Sequence, residues 1–253
     1  MNSLSDPTIH LWLIATAVFL AAGLVKGVVG LGLPTVAVAL LVFTMTPAQA
    51  AALLIVPSLV TNVWQIRPWR TLGPMLRRLG GMQVGVCAGT GLGAWALGEP
   101  AGVWATVSLG VALMAYAAWG LFGTRLSVAV NTERWAGPVI GALTGLVTAA
   151  TGVFVIPAVP YLQALGLERD ELIQAMGISF TVSTVALAVS LFLNGSYTSA
   201  AAGQSLFMLL PALAGMSLGQ RLRQRMSPTL FRHCFLIGLF LLGAHMVLRE
   251  WLW

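Results

Sequence analysis

Charge is what this sequence has least of. Asp, Glu, Lys and Arg make up 8% of its 253 residues, against about a quarter in an ordinary soluble domain, and that scarcity excludes a water-soluble fold. Lysine occurs once, at position 26. The two cysteines, Cys87 and Cys234, both fall in apolar stretches, which indicates neither a disulfide framework nor a thiolate metal site and reads as two small buried hydrophobes. There is no HExxH, no pair of aspartates inside an apolar stretch and no serine with a nearby histidine, so the constellations of a membrane-embedded enzyme are missing and no cofactor is implied. His233 and His245 stand 12 residues apart on the last apolar stretch, with nothing to complete a metal site.

What the sequence does have is apolar length. Residues of the hydrophobic set reach 58%, and stretches of bilayer-spanning length, roughly 20 residues each, recur along the chain. This is the composition of an integral membrane protein. The net charge of +6 does not imply nucleic acid, because the arginines lie in short clusters between apolar segments, as the orientation bias of membrane proteins requires. The beginning, MNSLSDPTIH, has no basic residue and carries Asp6, so the run after it makes a poor signal peptide and is expected to be retained. Trp64, Trp69, Trp135, Trp251 and Trp253, near segment ends, read as interfacial anchors.

Eight apolar segments run over approximately 9–45, 48–66, 74–97, 101–122, 135–165, 171–193, 203–220 and 229–250. The first and fifth overshoot a roughly 30 Å hydrocarbon core as single helices. Both carry breakers: Gly27, Gly30, Gly32 and Pro34 in one, and Thr148 to Gly152 with Pro157 and Pro160 in the other. Each therefore reads as two pieces, with Pro34 in the first turn of a new helix.

The halves also resemble one another. GALTG at Gly141 repeats GLVKG at Gly23 after 118 residues, and GMSLG at Gly215 repeats GMQVG at Gly81 after 134, so a duplication is expected. Arg67, Arg70, Arg77 and Arg78 place the loop before the first GMxxG helix in the cytoplasm, and Arg221, Arg223, Arg225 and Arg232 place the loop after the second there too. Equivalent helices then run in opposite directions. Arg125 and Arg134 fall inside and both chain ends outside, and the ERDE loop from Glu168 stays inside because acidic residues count little. The expected fold is all-α: two inverted repeats, 1–125 and 126–253, each a broken, re-entrant first helix followed by three spanning helices.

Unwound backbone at membrane depth must be buried in protein or line a cavity, which makes the two breaks the expected substrate site. Helix ends there offer unpaired N–H groups and a positive dipole end, an anion site made of backbone. Lys26 supplies formal charge. A lone intramembrane lysine costs roughly 3 kcal/mol, and Glu99, Glu133, Glu168, Asp170 and Glu171 all sit at segment ends, so its natural partner is an anionic substrate. Ser58, Thr61, Asn62 and Gln65 share one helix face, with Asn62 the first choice among them as a site residue. In the second half Gln174, Ser179, Thr181, Ser183 and Thr184 are similarly dense. The expected anion ligands are Lys26, the N–H groups of Gly30 to Pro34 and of Thr151 to Gly152, and the polar groups of Asn62 and Ser179, with Gly27, Gly32 and Thr148 shaping the breaks.

The first break, the following TPAQAAALLIVPSLVTN, and TGLVTAATGVFVIPAVPYLQALGLERDELIQAMGISFT in the second half together resemble the TauE/SafE family of sulfite exporters. The resemblance covers nearly the whole chain. It implies a multi-pass bacterial inner-membrane transporter of small anions, among them sulfite and organosulfonates, whose glycine-rich breaks line the path. Here Leu31, Leu33 and Pro34 interrupt the more continuous glycine run of many members, and the second break has Ala149, Ala150 and Thr151. Bulk at those turns sets how closely an oxyanion approaches backbone N–H groups. An anion channel and a carrier of another oxyanion or carboxylate fit the same residues, and a homo-oligomer is left open. Single cysteines introduced at Leu72 and Pro228 are expected to react with an impermeant reagent from the same side; opposite sidedness rules out the inverted repeat.

Overall fold

Both over-long apolar stretches break where glycine permits it. In the structure, a computed structural model that describes residues 7–98, 100, 102–123, 126–225 and 227–252, α1 (Pro7–Val29) stops before Gly30 and α2 (Leu33–Leu41) starts after Gly32. Gly30 and Gly32 hold φ of 86° and 107°, left-handed angles that penalise any Cβ. Pro34 falls in the first turn of α2, where its missing N–H forfeits no bond. In the second half α6 (Val130–Thr151) ends on Gly152 at φ 72°, and α7 (Ala158–Ala164) follows Pro157. Asp6, Glu99, Arg125 and Trp253 lie outside the described residues.

Three long helices follow each broken pair: α3 (Pro47–Gln65), α4 (Leu72–Leu97) and α5 (Gly102–Phe122), then α8 (Arg169–Leu193), α9 (Ser199–Arg223) and α10 (Pro228–Leu252). No strand occurs among the described residues. Six helices, α1, α3, α5, α8, α9 and α10, are long and apolar enough to cross a bilayer; α4 and α6, of 26 and 22 residues, match them in length. Large apolar side chains face outward, Trp95 at 85% exposure and Leu210 at 71% among them, which is the surface that lipid requires. The chain is an all-α integral membrane protein. Cys87 and Cys234, expected in the interior, are exposed on this outer surface instead, because the periodicity of an all-apolar helix does not separate a lipid face from a protein face.

Hydrogen bonds sort the loops onto two faces. Arg78 near the start of α4 pairs with Glu133 at the start of α6 and donates to the carbonyl of Leu165 beyond α7, while Gln174 of α8 donates to the carbonyls of Ile66 and Pro68. The α3–α4, α5–α6 and α7–α8 connections therefore share one face, which carries most of the arginines. On the other face the Ala48 amide donates to the Pro100 carbonyl, and Trp12, Thr44, Ser196 and Ala201 border one cavity.

Two close helix contacts organise the interior, α1 on α9 and α6 on α4. A Cβ on Gly215 would lie 2.0 Å from the Leu20 carbonyl oxygen, and one on Gly85 would lie 2.2 Å from that of Pro138. Gly219 against Leu24 and Gly89 against Ala142 repeat the relation one turn on. Leu20 and Pro138 are 118 residues apart, the spacing seen between Gly23 and Gly141. Gly85 and Gly215, however, are 130 apart. The pairing of GMQVG with GMSLG at 134 is thus one helical turn out of register, since the structural match of Gly215 to Gly219 is Gly85 to Gly89, GVCAG. In α3 and α8 the matching spacing is 122: capping boxes at Thr46 with Gln49 and at Glu168 with Glu171 open both helices.

Pro57 lies inside α3 and leaves the carbonyl four residues earlier, that of Leu53, without its helical donor. Ser205 of α9 donates to that carbonyl at 2.7 Å and accepts from the Val56 amide at 3.0 Å. The proline break in α3 is thereby satisfied across a helix interface. We expect Gly215→Val to separate α1 from α9 and lower stability by about 1–3 kcal/mol or more, read as a fall in thermal unfolding temperature in detergent. Gly203→Ala, on the same helix with no atom within 4 Å, should leave that temperature unchanged or slightly raised.

Candidate functional site

Lys26 lies three residues from the end of α1 and is 3% exposed. It neither reaches an interface nor caps the broken helix: its Nζ donates to Thr61 Oγ1 at 3.0 Å and to Asn62 Oδ1. Thr61 is free to accept because its own hydroxyl proton goes to the Pro57 carbonyl at 2.7 Å. Asn62 is held in turn by its amide group on Thr184 Oγ1 at 3.5 Å, and Thr184 donates to the Phe180 carbonyl. Asn62 and Thr184 are 122 residues apart, the spacing that relates the capping boxes of α3 and α8. The lysine therefore sits where the two matching helices cross.

An ammonium has three donors, and two of Lys26's are used within the protein. The one ion pair among the described residues is Arg78 with Glu133 at the arginine-rich face, so no carboxylate is paired with Lys26. Gln65, one turn after Asn62, donates to the Gly30 carbonyl at 2.6 Å, which ties the first break to α3 beside the lysine. Two fully buried hydroxyls have no partner: Ser58, one turn before Asn62, and Thr35 in the first turn of α2. The leading N–H groups of α2 lack intrahelical acceptors as in any helix. Lys26, these two hydroxyls and the N-terminus of α2 are all able to donate and buried from solvent, the kinds of donor a small oxyanion takes.

Of the ten residues expected at the site, the structure joins Lys26 to Asn62 and ties Gly30 to Gln65 one turn further along α3, while Gly32, which faces Val25 and Phe235, and Pro34 open α2. Gly27 is not part of the break. It lies inside α1, where a Cβ would meet the Met216 carbonyl oxygen at 2.3 Å, and it serves the α1–α9 contact. Thr148 and Thr151 lie inside α6 and donate to the Thr144 and Val147 carbonyls of their own helix, with Thr151 also capping the Val153 amide. Gly152 packs on Ala51 of α3. Ala51 and Gln65 are 14 residues apart, about 21 Å along a helix, so the two breaks touch opposite ends of α3 and do not converge. Ser179 accepts from Gln83 of α4 at 2.9 Å and does not meet Lys26.

Thr61 and Gln65 were visible in the sequence as members of the Asn62 face, without a sign of which would turn to the lysine. Thr35 and Gln83 gave no signal beyond being polar in apolar stretches. Replacement of Lys26 by a neutral side chain of similar length separates a functional from a structural lysine. Lys26→Met removes an uncompensated buried charge worth roughly 3 kcal/mol and strands one acceptor on Asn62, worth about 1–3 kcal/mol. The ligand-free variant is expected to unfold at the same temperature or higher; a large loss of stability would make Lys26 a structural tie.

The family model described as Sulfite exporter TauE/SafE matches residues 15–246. No curated protein and no solved structure matches the chain. With the match spanning both broken helices and all six long helices that follow them, the chain belongs to the TauE/SafE sulfite exporter family, membrane exporters of sulfite and related anions.

Proposed function

We propose that this protein exports sulfite or an organosulfonate across the bacterial inner membrane by alternating access, with Lys26 as the anion's anchor. The observation that carries the reading is the buried, carboxylate-free Lys26, held on Thr61 and Asn62 with one donor to spare. A protein that needed only a packed core would not keep an unbalanced ammonium at that depth. The anion takes the free N–H of Lys26, the Ser58 and Thr35 hydroxyls and the first N–H groups of α2. The site thus belongs to the first break alone.

The matched contacts of α1 with α9 and of α6 with α4, and the crossing of α3 with α8 at Asn62 and Thr184, support reading 1–125 and 126–253 as inverted repeats. The arginine-rich face is then cytoplasmic. A potential of 100 mV, negative inside, favours the exit of each negative charge by about 2.3 kcal/mol, so export needs no coupling ion.

In proteoliposomes Lys26→Met is expected to abolish sulfite transport and counterflow while the protein stays folded. A channel would show no counterflow even in the wild type, and unaltered kinetics in the variant would remove the anchor role. Sulfite, sulfate, sulfonates and short carboxylates, tested for thermal stabilisation, should stabilise the wild type and not Lys26→Met, because a ligand that binds only the folded state raises its stability by mass action. A neutral solute stabilising more strongly than every anion would overturn the anion reading.

A further inference from the structure

The two faces of the bundle are built from matching helices, yet they are bonded differently. On the arginine-poor face a cavity of about 300 Å³ lies between α1, α3 and α9, with the exposed Gln204 at its rim and Ala15, Ala52, Ala201 and Met208 in its wall. On the arginine-rich face the corresponding positions are bridged by side-chain hydrogen bonds. Gln174 is 1% exposed and fully used: its Nε2 donates to the Ile66 and Pro68 carbonyls at 2.7 and 2.8 Å, and its Oε1 accepts from Thr71 at 2.9 Å. Beside it Arg78 grips Glu133 through two bonds of 2.7 and 2.9 Å and donates to the Leu165 carbonyl at 3.1 Å.

The spacings that relate the helices of the two halves show what stands at the matching places. Gln174 less 122 is Ala52, Glu133 less 118 is Ala15, and Arg78 and Thr71 plus 130 are Met208 and Ala201. All four counterparts line that cavity. The four side chains that fasten one face are thus replaced, position for position, by three alanines and a methionine that cannot bond across the gap on the other.

We propose that Thr71, Arg78, Glu133 and Gln174 form the gate of the arginine-rich face, and that this structure is the state in which that gate is shut and the opposite vestibule open. Lys26 lies between them, beyond the Pro57 and Ser205 joint of α3 that floors the vestibule: Ser205 bonds Leu53 in the cavity wall, and Thr61 bonds Pro57. Loading from the arginine-rich side then requires the four-residue fastening to come apart. Opening it exposes α8 around Ala175, the counterpart of the cavity residue Leu53, while the vestibule collapses onto its alanines. The asymmetry biases the resting protein outward, and what holds the bias is polar bonding on one side only. The inference rests on the alternating-access reading above and is independent of which anion is carried.

Cysteine accessibility tests it. In a background with Cys87→Ala and Cys234→Ala, Gln204→Cys, at an exposed position in the cavity wall, reports the vestibule and the buried Ala175→Cys the gated face, each labelled with a membrane-impermeant thiol reagent in right-side-out and inside-out vesicles. With the gate intact, Gln204→Cys should react and Ala175→Cys should be protected. Glu133→Ala with Gln174→Ala gives that face the residues its counterpart carries; labelling of Ala175→Cys should rise about tenfold, a population shift of about 1.4 kcal/mol, while that of Gln204→Cys falls only by the fraction of molecules that leave the outward state. Arg78→Gln, at a side chain 37% exposed, spares the core and should move both reporters the same way by less. Unchanged protection of Ala175→Cys in both variants, or a simultaneous rise at both reporters, overturns the gate. The labelling needs no sulfite, so its failure leaves the Lys26 transport assay intact, and a failed transport assay leaves the gate standing.

Discussion

Everything in this bundle depends on backbone meeting backbone at two helix contacts. Between α1 and α9, and again between α6 and α4, glycines occupy places where a single Cβ would come within 2.0 to 2.3 Å of a carbonyl oxygen on the neighbouring helix. In lipid there is no hydrophobic gain from helix association, so close packing of small residues has to supply it. These contacts bring the first helix of each half against the fourth helix of the other. The breaks that follow α1 and α6 are then buried in protein, where irregular backbone is tolerated.

That burial leads directly to the site. A chain that stops being helical at Gly30 inside the membrane needs partners for its carbonyls, and Gln65 provides one. The same end of α3 presents Thr61 and Asn62 to Lys26. Pro57 contributes twice: its carbonyl takes the proton of Thr61, leaving that oxygen to accept from the lysine, and its missing N–H calls in Ser205 from α9. One helix, α3, therefore links the vestibule, the joint and the charged site. Family membership and the buried lysine both support the proposal that this site takes a small anion.

The duplicated architecture is close to symmetric in its backbone contacts and asymmetric in the chemistry hung upon them. Lys26 is matched by Thr144, which bonds its own helix at the Ile140 carbonyl. Gln174 and Glu133 are matched by alanines. A transporter with two equal halves has no preferred face, and on the proposed reading the polar bonds placed on one side are what give it one.

Much of this was written in the sequence in a form that needs no neighbours. Composition decided the solvent, because 8% charge cannot cover a soluble surface. Glycine and proline marked both breaks and the start of α2 to within a residue or two, since positive φ and a missing N–H are properties of single residues. The choice of Lys26 followed from a lone charge inside an apolar stretch, and that of the Asn62 face from helical spacing. Tertiary structure decided the rest. Gly27 and Thr148 look like parts of a break in a linear chain, yet one is a contact for α9 and the other bonds its own helix, and only packing tells these apart. The GMxxG pair misled by one turn because any GxxxG offers the same small surface; which turn meets the partner is set by the opposing helix. The separation of the two breaks by the length of α3, and the fastening of one face by Arg78, Glu133, Gln174 and Thr71, depend on how antiparallel helices are brought side by side, a relation between distant residues that no local pattern encodes.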